Sequence, residues 1–151
     1  MLTLRSSIIS EFAAILPNPT HSVTISFKSR WLPKNKTDKL DVATGACKWF
    51  NLVLSDRCFH RGSRRDQKRI GCIAVAEGMS PDKRVHLHLA FRCPTKMTHT
   101  QFNRLLRVSA NKTRDLGNID IRAYYDGWYS YITKEHDHEV LWESCHAGTD
   151  Q

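Results

Sequence analysis

Between His21 and Phe27 the chain alternates Val23, Ile25 and Phe27 with Ser22, Thr24 and Ser26, the two-residue period of a strand with one buried face. The alternation returns in Val85-His86-Leu87-His88-Leu89, inside a strand expected over Val85–Arg92. It returns again in Asn118–Tyr125, where Ile119, Ile121 and Ala123 interleave with Asp120, Arg122 and Tyr124. Ile70–Gly78 reads as a further strand, joined to Val85–Arg92 by a turn over Met79–Arg84. The period changes where helices are expected. Leu40, Ala43, Cys47, Phe50 and Leu54 recur at three- and four-residue spacing behind a cap at Thr37 or Asp38, so a helix should run to about Cys58. Phe102, Leu105, Leu106 and Val108 give a second helix, capped by Thr98 or Thr100 and ending near Lys112–Gly117. A last helix is expected from Gly127 through Glu135, after a turn at Asp126-Gly127.

The order is strand, helix, strand, strand, helix, strand, helix. It predicts an α+β fold, a ferredoxin-like or RNA-recognition-type antiparallel sheet of four or five strands. The domain so defined spans residues 21–138. Residues 1–20 read as an N-terminal extension, a short amphipathic helix over Leu2–Leu16 that ends at Pro17 and Pro19 and packs on the domain. Residues 139–151 form a polar tail with Leu141 and Trp142 as packing anchors.

With 151 residues, 40% hydrophobic and 25% charged, the chain is one globular domain's worth, but its net charge of +8 points to a polyanionic partner. Much of that charge lies between Arg57 and Arg69, where Arg57, Arg61, Arg64, Arg65, Lys68 and Arg69 face only Asp66. This stretch is either a clamp on a nucleic-acid backbone or a solvated loop. A second basic loop, Lys28–Lys39, surrounds Trp31, which either stacks on a base or packs locally. Cys47, Cys58, Cys72, Cys93 and Cys145 show no paired short spacing. That favours a reducing compartment, with the cysteines as small apolar residues. The longest apolar run near the start, Phe12–Leu16, is too short for a signal-peptide core or a membrane span. An intracellular protein of the cytoplasm or nucleus, not secreted and without a membrane partner, is expected.

Candidate chemistry centres on His86 and His88. Two residues apart on a strand, they project from one face while Val85, Leu87 and Leu89 pack on the other. A hairpin of the two central strands would bring Glu77 toward them, with the register left open. Two imidazoles and a carboxylate make a metal site with open coordination positions. Glu135, His136 and Asp137 are alternative donors. If the last helix lies across the histidine face, Tyr131 meets the metal, and Lys134, three residues on, shares its helix face. A phenol beside an ammonium and a divalent ion suits attack on a phosphodiester.

His86-Leu87-His88 on a strand, an acidic residue ending the strand before it, and Tyr131-Ile132-Thr133-Lys134 on a later helix resemble the HUH endonuclease superfamily. More narrowly, the chain is similar to the single-tyrosine replication-initiator (Rep) nucleases of rolling-circle viruses, plasmids and mobile elements. Val23-Thr24-Ile25-Ser26-Phe27 matches that family's first motif, the histidine pair its second, and Tyr131 to Lys134 its third. The resemblance implies a metal-dependent nick in single-stranded DNA, at an origin or element-end hairpin, followed by joining. It implies that His86, His88 and Glu77 hold Mg²⁺ or Mn²⁺, that Tyr131 attacks phosphorus to give a 5′-phosphotyrosine, and that Lys134 adds positive charge where negative charge develops.

Departures from the family pattern are informative. Tyr125 and Tyr129 lack a lysine three residues on, so a one-tyrosine enzyme is expected, with Tyr129 as packing. No Gly-x-x-x-x-Gly-Lys-Ser/Thr loop is present, so an appended or host helicase would be the partner. Two rival readings remain: a single-tyrosine transposase of similar length, and a non-catalytic RNA-recognition-type module. The latter would need aromatic residues on the two central strands, which carry only Phe91. Trp49, Trp128 and Trp142 are expected as packing residues, and His60, His99, His138 and His146 as exposed.

Overall fold

The structure, a computed structural model, describes residues 3–28, 33–60 and 67–149. Alternation in β1 (His21–Phe27) sends Val23, Ile25 and Phe27 to one face of the sheet and Thr24 and Ser26 to the other. β2 (Cys72–Glu77) and β3 (His86–Phe91) obey the same rule. Cys72, Ala74, Ala76, Leu87, Leu89 and Phe91 join the first face, and Ile73, Val75 and Ala90 the second. With β4 (Leu116–Ala123) and the two-residue β5 (Glu139–Val140) they form one antiparallel sheet in the order β4-β1-β3-β2-β5. Helices α2 (Lys36–Phe59) and α3 (His99–Asn111) fill the crossovers from β1 to β2 and from β3 to β4. This is the ferredoxin-like α+β layout that the element order predicts.

Both crossover helices cover the first face. Ala43, Cys47, Phe50 and Leu54 of α2 and Phe102 and Leu106 of α3 are fully buried there, with Phe91 ringed by Phe50 and Phe102. Each such large side chain contributes about 1.5–3 kcal/mol. The second face carries a smaller core. Phe12 and Leu16, from α1 (Leu4–Ile15) and its C-cap, and Trp128, Tyr129 and Ile132 of α4 (Trp128–Ile132) pack on Ile73, Val75 and Ala90. The segments at both ends of the chain therefore enter the fold. β5 pairs with β2, Leu141 is buried, and Cys72 and His146 exchange backbone hydrogen bonds of 2.8 and 2.9 Å. Among the described residues no helix is long and apolar enough to cross a membrane.

Several boundaries move. Asn35, not Thr37 or Asp38, caps α2, because its side-chain oxygen reaches the Asp38 N–H at 2.8 Å. Thr98 caps α3 in a reciprocal box with Gln101. β4 begins two residues early, at Leu116. The last helix stops at Ile132, short of Glu135, where the Thr133 hydroxyl donates back to the Tyr129 carbonyl at 2.8 Å. Trp128 is buried, Trp49 is 55% exposed because it stands off the apolar stripe of α2, and Trp142 is 49% exposed while its ring lies 5.8 Å from that of Phe12. His60 and His99 are exposed, whereas His138 and His146 are half-buried. All five cysteines are free, with Cys47, Cys72 and Cys93 buried. Trp31 lies outside the described residues.

His21 opens β1 on the first face, its ring edge-on to His99 and Phe102 at 4.9 Å from each. Burial, reinforced by His99, lowers its pKa to about 4 against a partial pull from Asn103. The unfolded chain therefore takes up a proton first. Stability should be full well above pH 6.5 and fall by about 3 kcal/mol as the pH drops toward 4. Urea unfolding across that range should show at least this loss, since burial lowers the pKa of His88 and His146 as well, and His21→Gln should make the fall shallower without abolishing it.

Candidate active site

The β3 pairings build the site. Glu77 stands directly across from His86, and Val75 from His88, while Thr24 flanks His88 from β1. Glu77 and His88 are thus diagonal neighbours on one face, within reach of long side chains. Glu77 Oε2 lies 2.9 Å from His88 Nε2, and Thr24 Oγ1 lies 3.2 Å from His88 Nδ1. His88 is 6% exposed. Burial lowers its pKa, aided by His86 and Lys134, against the opposing pull of Glu77. A neutral His88 then donates from Nε2 to Glu77 and accepts at Nδ1 from the Thr24 hydroxyl.

Helix α4 is pinned over this pair from three sides. Trp128 Nε1 donates to the Leu89 carbonyl at 3.1 Å, fixing the helix to β3. Tyr129 points into the second core, as expected, and its hydroxyl donates to the Leu16 carbonyl at 2.8 Å. Arg5 reaches from α1 to the Ser130 carbonyl at 2.6 Å. Tyr131, one residue from these anchors, turns the other way: its ring stacks on Trp128 at 5.3 Å and stands edge-on to His88 at 6.0 Å. It is 42% exposed. A phenol is thereby held beside a buried imidazole at the open edge of the sheet face.

Lys134 arrives by a different route from the expected shared helix face. It lies beyond the end of α4, yet its N–H donates to the Tyr131 carbonyl at 3.3 Å, and its Nζ sits 4.3 Å from the centre of the Tyr131 ring. The ammonium rests against the ring, a cation–π contact. Of the alternative donors, His136 is exposed and the other two have partners of their own. Asp137 accepts from Ser80 Oγ at 3.4 Å and pairs with Lys83 at 3.3 Å, and Glu135 faces Lys134 at 3.9 Å.

The donor chemistry suits a divalent ion, and two of the three donors are in contact with each other. With ligand bonds of about 2.1 Å, adjacent ligands of an octahedral ion lie about 3 Å apart, close to the 2.9 Å between Glu77 Oε2 and His88 Nε2. His86 is the third. Its ring is nearly parallel to that of His88, with the centroids 6.4 Å apart. Among the described residues, no three His, Cys, Asp or Glu side chains already converge on one point.

The basic stretch lies elsewhere. Arg57 is 18 residues along α2 from Lys39, about 27 Å at 1.5 Å per residue, and Lys39 is the residue that touches the β2–β3 turn beside Glu77. Arg57 and Lys68 line a groove with Lys96, Met97 and Arg104, on the helix layer behind the sheet. Arg69 precedes β2 at the same end. Arg61, Arg64 and Arg65 lie outside the described residues. The described part of the expected backbone clamp is thus on the far layer from Tyr131, because the C-terminus of α2 and the histidine face are on opposite sides of the sheet.

Thr24, Trp128 and Arg5 were not singled out by sequence for the site. Thr24 carries a signal in retrospect, since it belongs to the polar set of β1 that must face the histidines once β1 and β3 pair. Comparison with known proteins brings nothing further: no family model, curated protein or solved structure matches the chain. Trp128→Phe keeps an aromatic ring but removes the donor to the Leu89 carbonyl. It should cost about 1–2 kcal/mol in thermal unfolding and increase the exposure of Tyr131 to chemical nitration.

Proposed function

We propose that this chain is a metal-dependent endonuclease and strand transferase of HUH type, which nicks and rejoins single-stranded DNA through Tyr131 to initiate rolling-circle replication. The observation that carries this reading is the exposed Tyr131 phenol held edge-on to His88, with Glu77 on the same imidazole. His86, His88 and Glu77 would hold Mg²⁺ or Mn²⁺. A divalent ion there would polarise the scissile phosphate and stabilise the leaving 3′ oxygen.

The chain's own residues supply the rest. To bind a cation through Nε2, His88 moves its proton to Nδ1, where the Thr24 hydroxyl turns from donor to acceptor and keeps the ring in place. The Tyr131 oxygen attacks phosphorus as its proton passes to water, and the P–O3′ bond breaks. The 3′ oxygen leaves and is protonated, and the phosphate remains on tyrosine at the 5′ end. Attack by a DNA 3′ hydroxyl reverses the sequence and seals the strand. Lys134 provides positive charge beside the phosphate as negative charge grows.

A binding-only module fits less well. The face of β1 and β3 that would stack bases presents Thr24, Ser26, His86 and His88, and part of it is covered by α1 and α4. Tyr131→Phe should retain binding to a single-stranded DNA pool while losing Mn²⁺-dependent cleavage by at least a thousandfold, read on denaturing gels with EDTA as the blank. Cleavage by the Phe variant at the wild-type rate would remove Tyr131 from its role.

A further inference from the structure

A lysine occupies a core position of α2. Lys39 stands one turn before Ala43 in the stripe that continues through Cys47, Phe50 and Leu54, and it is 2% exposed. An ammonium has three donors and no acceptor, and all three are satisfied by one turn. Lys39 Nζ donates to the carbonyls of Gly78 at 3.0 Å, Ser80 at 2.5 Å and Lys83 at 2.8 Å. Three carbonyl dipoles aimed at one point repel each other unless a cation sits between them. The feet of this turn are Glu77 and His86, which face each other across the β2–β3 ladder.

Two further features show how tightly the turn is drawn. Gly78 has φ +88°, and a Cβ there would meet the Arg84 carbonyl oxygen at 2.1 Å, so the chain closes where only glycine fits. Asp137 binds Ser80 and Lys83 as well, tying the turn to the segment that follows Tyr131 and Lys134.

We propose that Lys39 is a positioning residue for the histidine–carboxylate site: its buried ammonium gathers the Gly78, Ser80 and Lys83 carbonyls and so sets the spacing of Glu77 from His86 and His88. This inference rests on the reading of those three residues as metal ligands. Lys39 touches no substrate and reaches the site only through the turn.

The test uses the full chain and Mn²⁺ alone as the probe, with free Mn²⁺ read by electron paramagnetic resonance. Lys39→Met should weaken Mn²⁺ binding about tenfold or more and speed hydrogen exchange at the Lys83 amide, which donates to the Ser80 carbonyl. Leu106→Ala, in the α3 core away from the turn, should lower the melting temperature yet leave Mn²⁺ affinity within about twofold of wild type. If Lys39→Met does not fold, Lys39→Gln, with two amide donors and no charge, gives the same comparison. Wild-type Mn²⁺ affinity in the Lys39 variant, or an equal loss in Leu106→Ala, would overturn the inference. Equal Mn²⁺ binding by wild type and by His86→Ala/His88→Ala would instead defeat the metal-site reading, and the role of Lys39 with it.

Discussion

The pairing of β3 with its two neighbours is the constraint on which the rest depends. His86 and His88 share a face with Thr24 and Glu77 because Thr24 pairs with His88 and Glu77 with His86. A slip of one residue would turn both imidazoles into the Phe50–Phe91–Phe102 core and bring Leu87 and Leu89 out beneath Tyr131. The register is protected by that same core. Val23, Ile25, Leu87, Leu89 and Phe91 are all fully buried against α2 and α3, and exposing any one of them costs about 1.5–3 kcal/mol. Hydrophobic burial on one face thus fixes the polar chemistry on the other.

The second face is built to leave only part of itself open. Phe12, Leu16, Tyr129 and Ile132 seal the middle of it, while the end that carries Glu77, His86 and Tyr131 stays accessible. One short helix therefore does two things with its two tyrosines. Tyr129 buries its ring and satisfies its hydroxyl on Leu16, the C-cap of α1, and Tyr131, two positions on, turns outward against Trp128 and His88. The difference between a structural tyrosine and a candidate nucleophile is a rotation of about 200° around the helix.

The fold was legible in the sequence because period-two alternation and three-to-four spacing are strong signals, and both recur in the right order. The histidine pair and its shared face followed from strand parity alone. Other features were not legible. The Glu77–His88 contact depends on register, which alternation leaves open. The early end of α4 depends on a threonine hydroxyl bonding backward, and Lys134 consequently meets the ring of Tyr131 rather than sharing its helix face. Lys39 sits at a spacing that marks an apolar stripe, but a lysine reads as surface unless the carbonyls that receive it are known. The basic stretch was visible as charge, yet which layer of the sheet it occupies is a matter of topology.

Under the proposed function, Tyr131, held against His88 on an open sheet face, forms a covalent bond to DNA. Its most direct measurement is incubation with random-sequence single-stranded DNA in Mn²⁺ or EDTA, followed by denaturing electrophoresis and peptide mass mapping. The expected result is a Mn²⁺-dependent, heat-stable adduct on the peptide that contains Tyr131, with the attached strand bearing the cleaved sequence at its 5′ end. Binding without any adduct, or an adduct on a peptide lacking Tyr131, would contradict it.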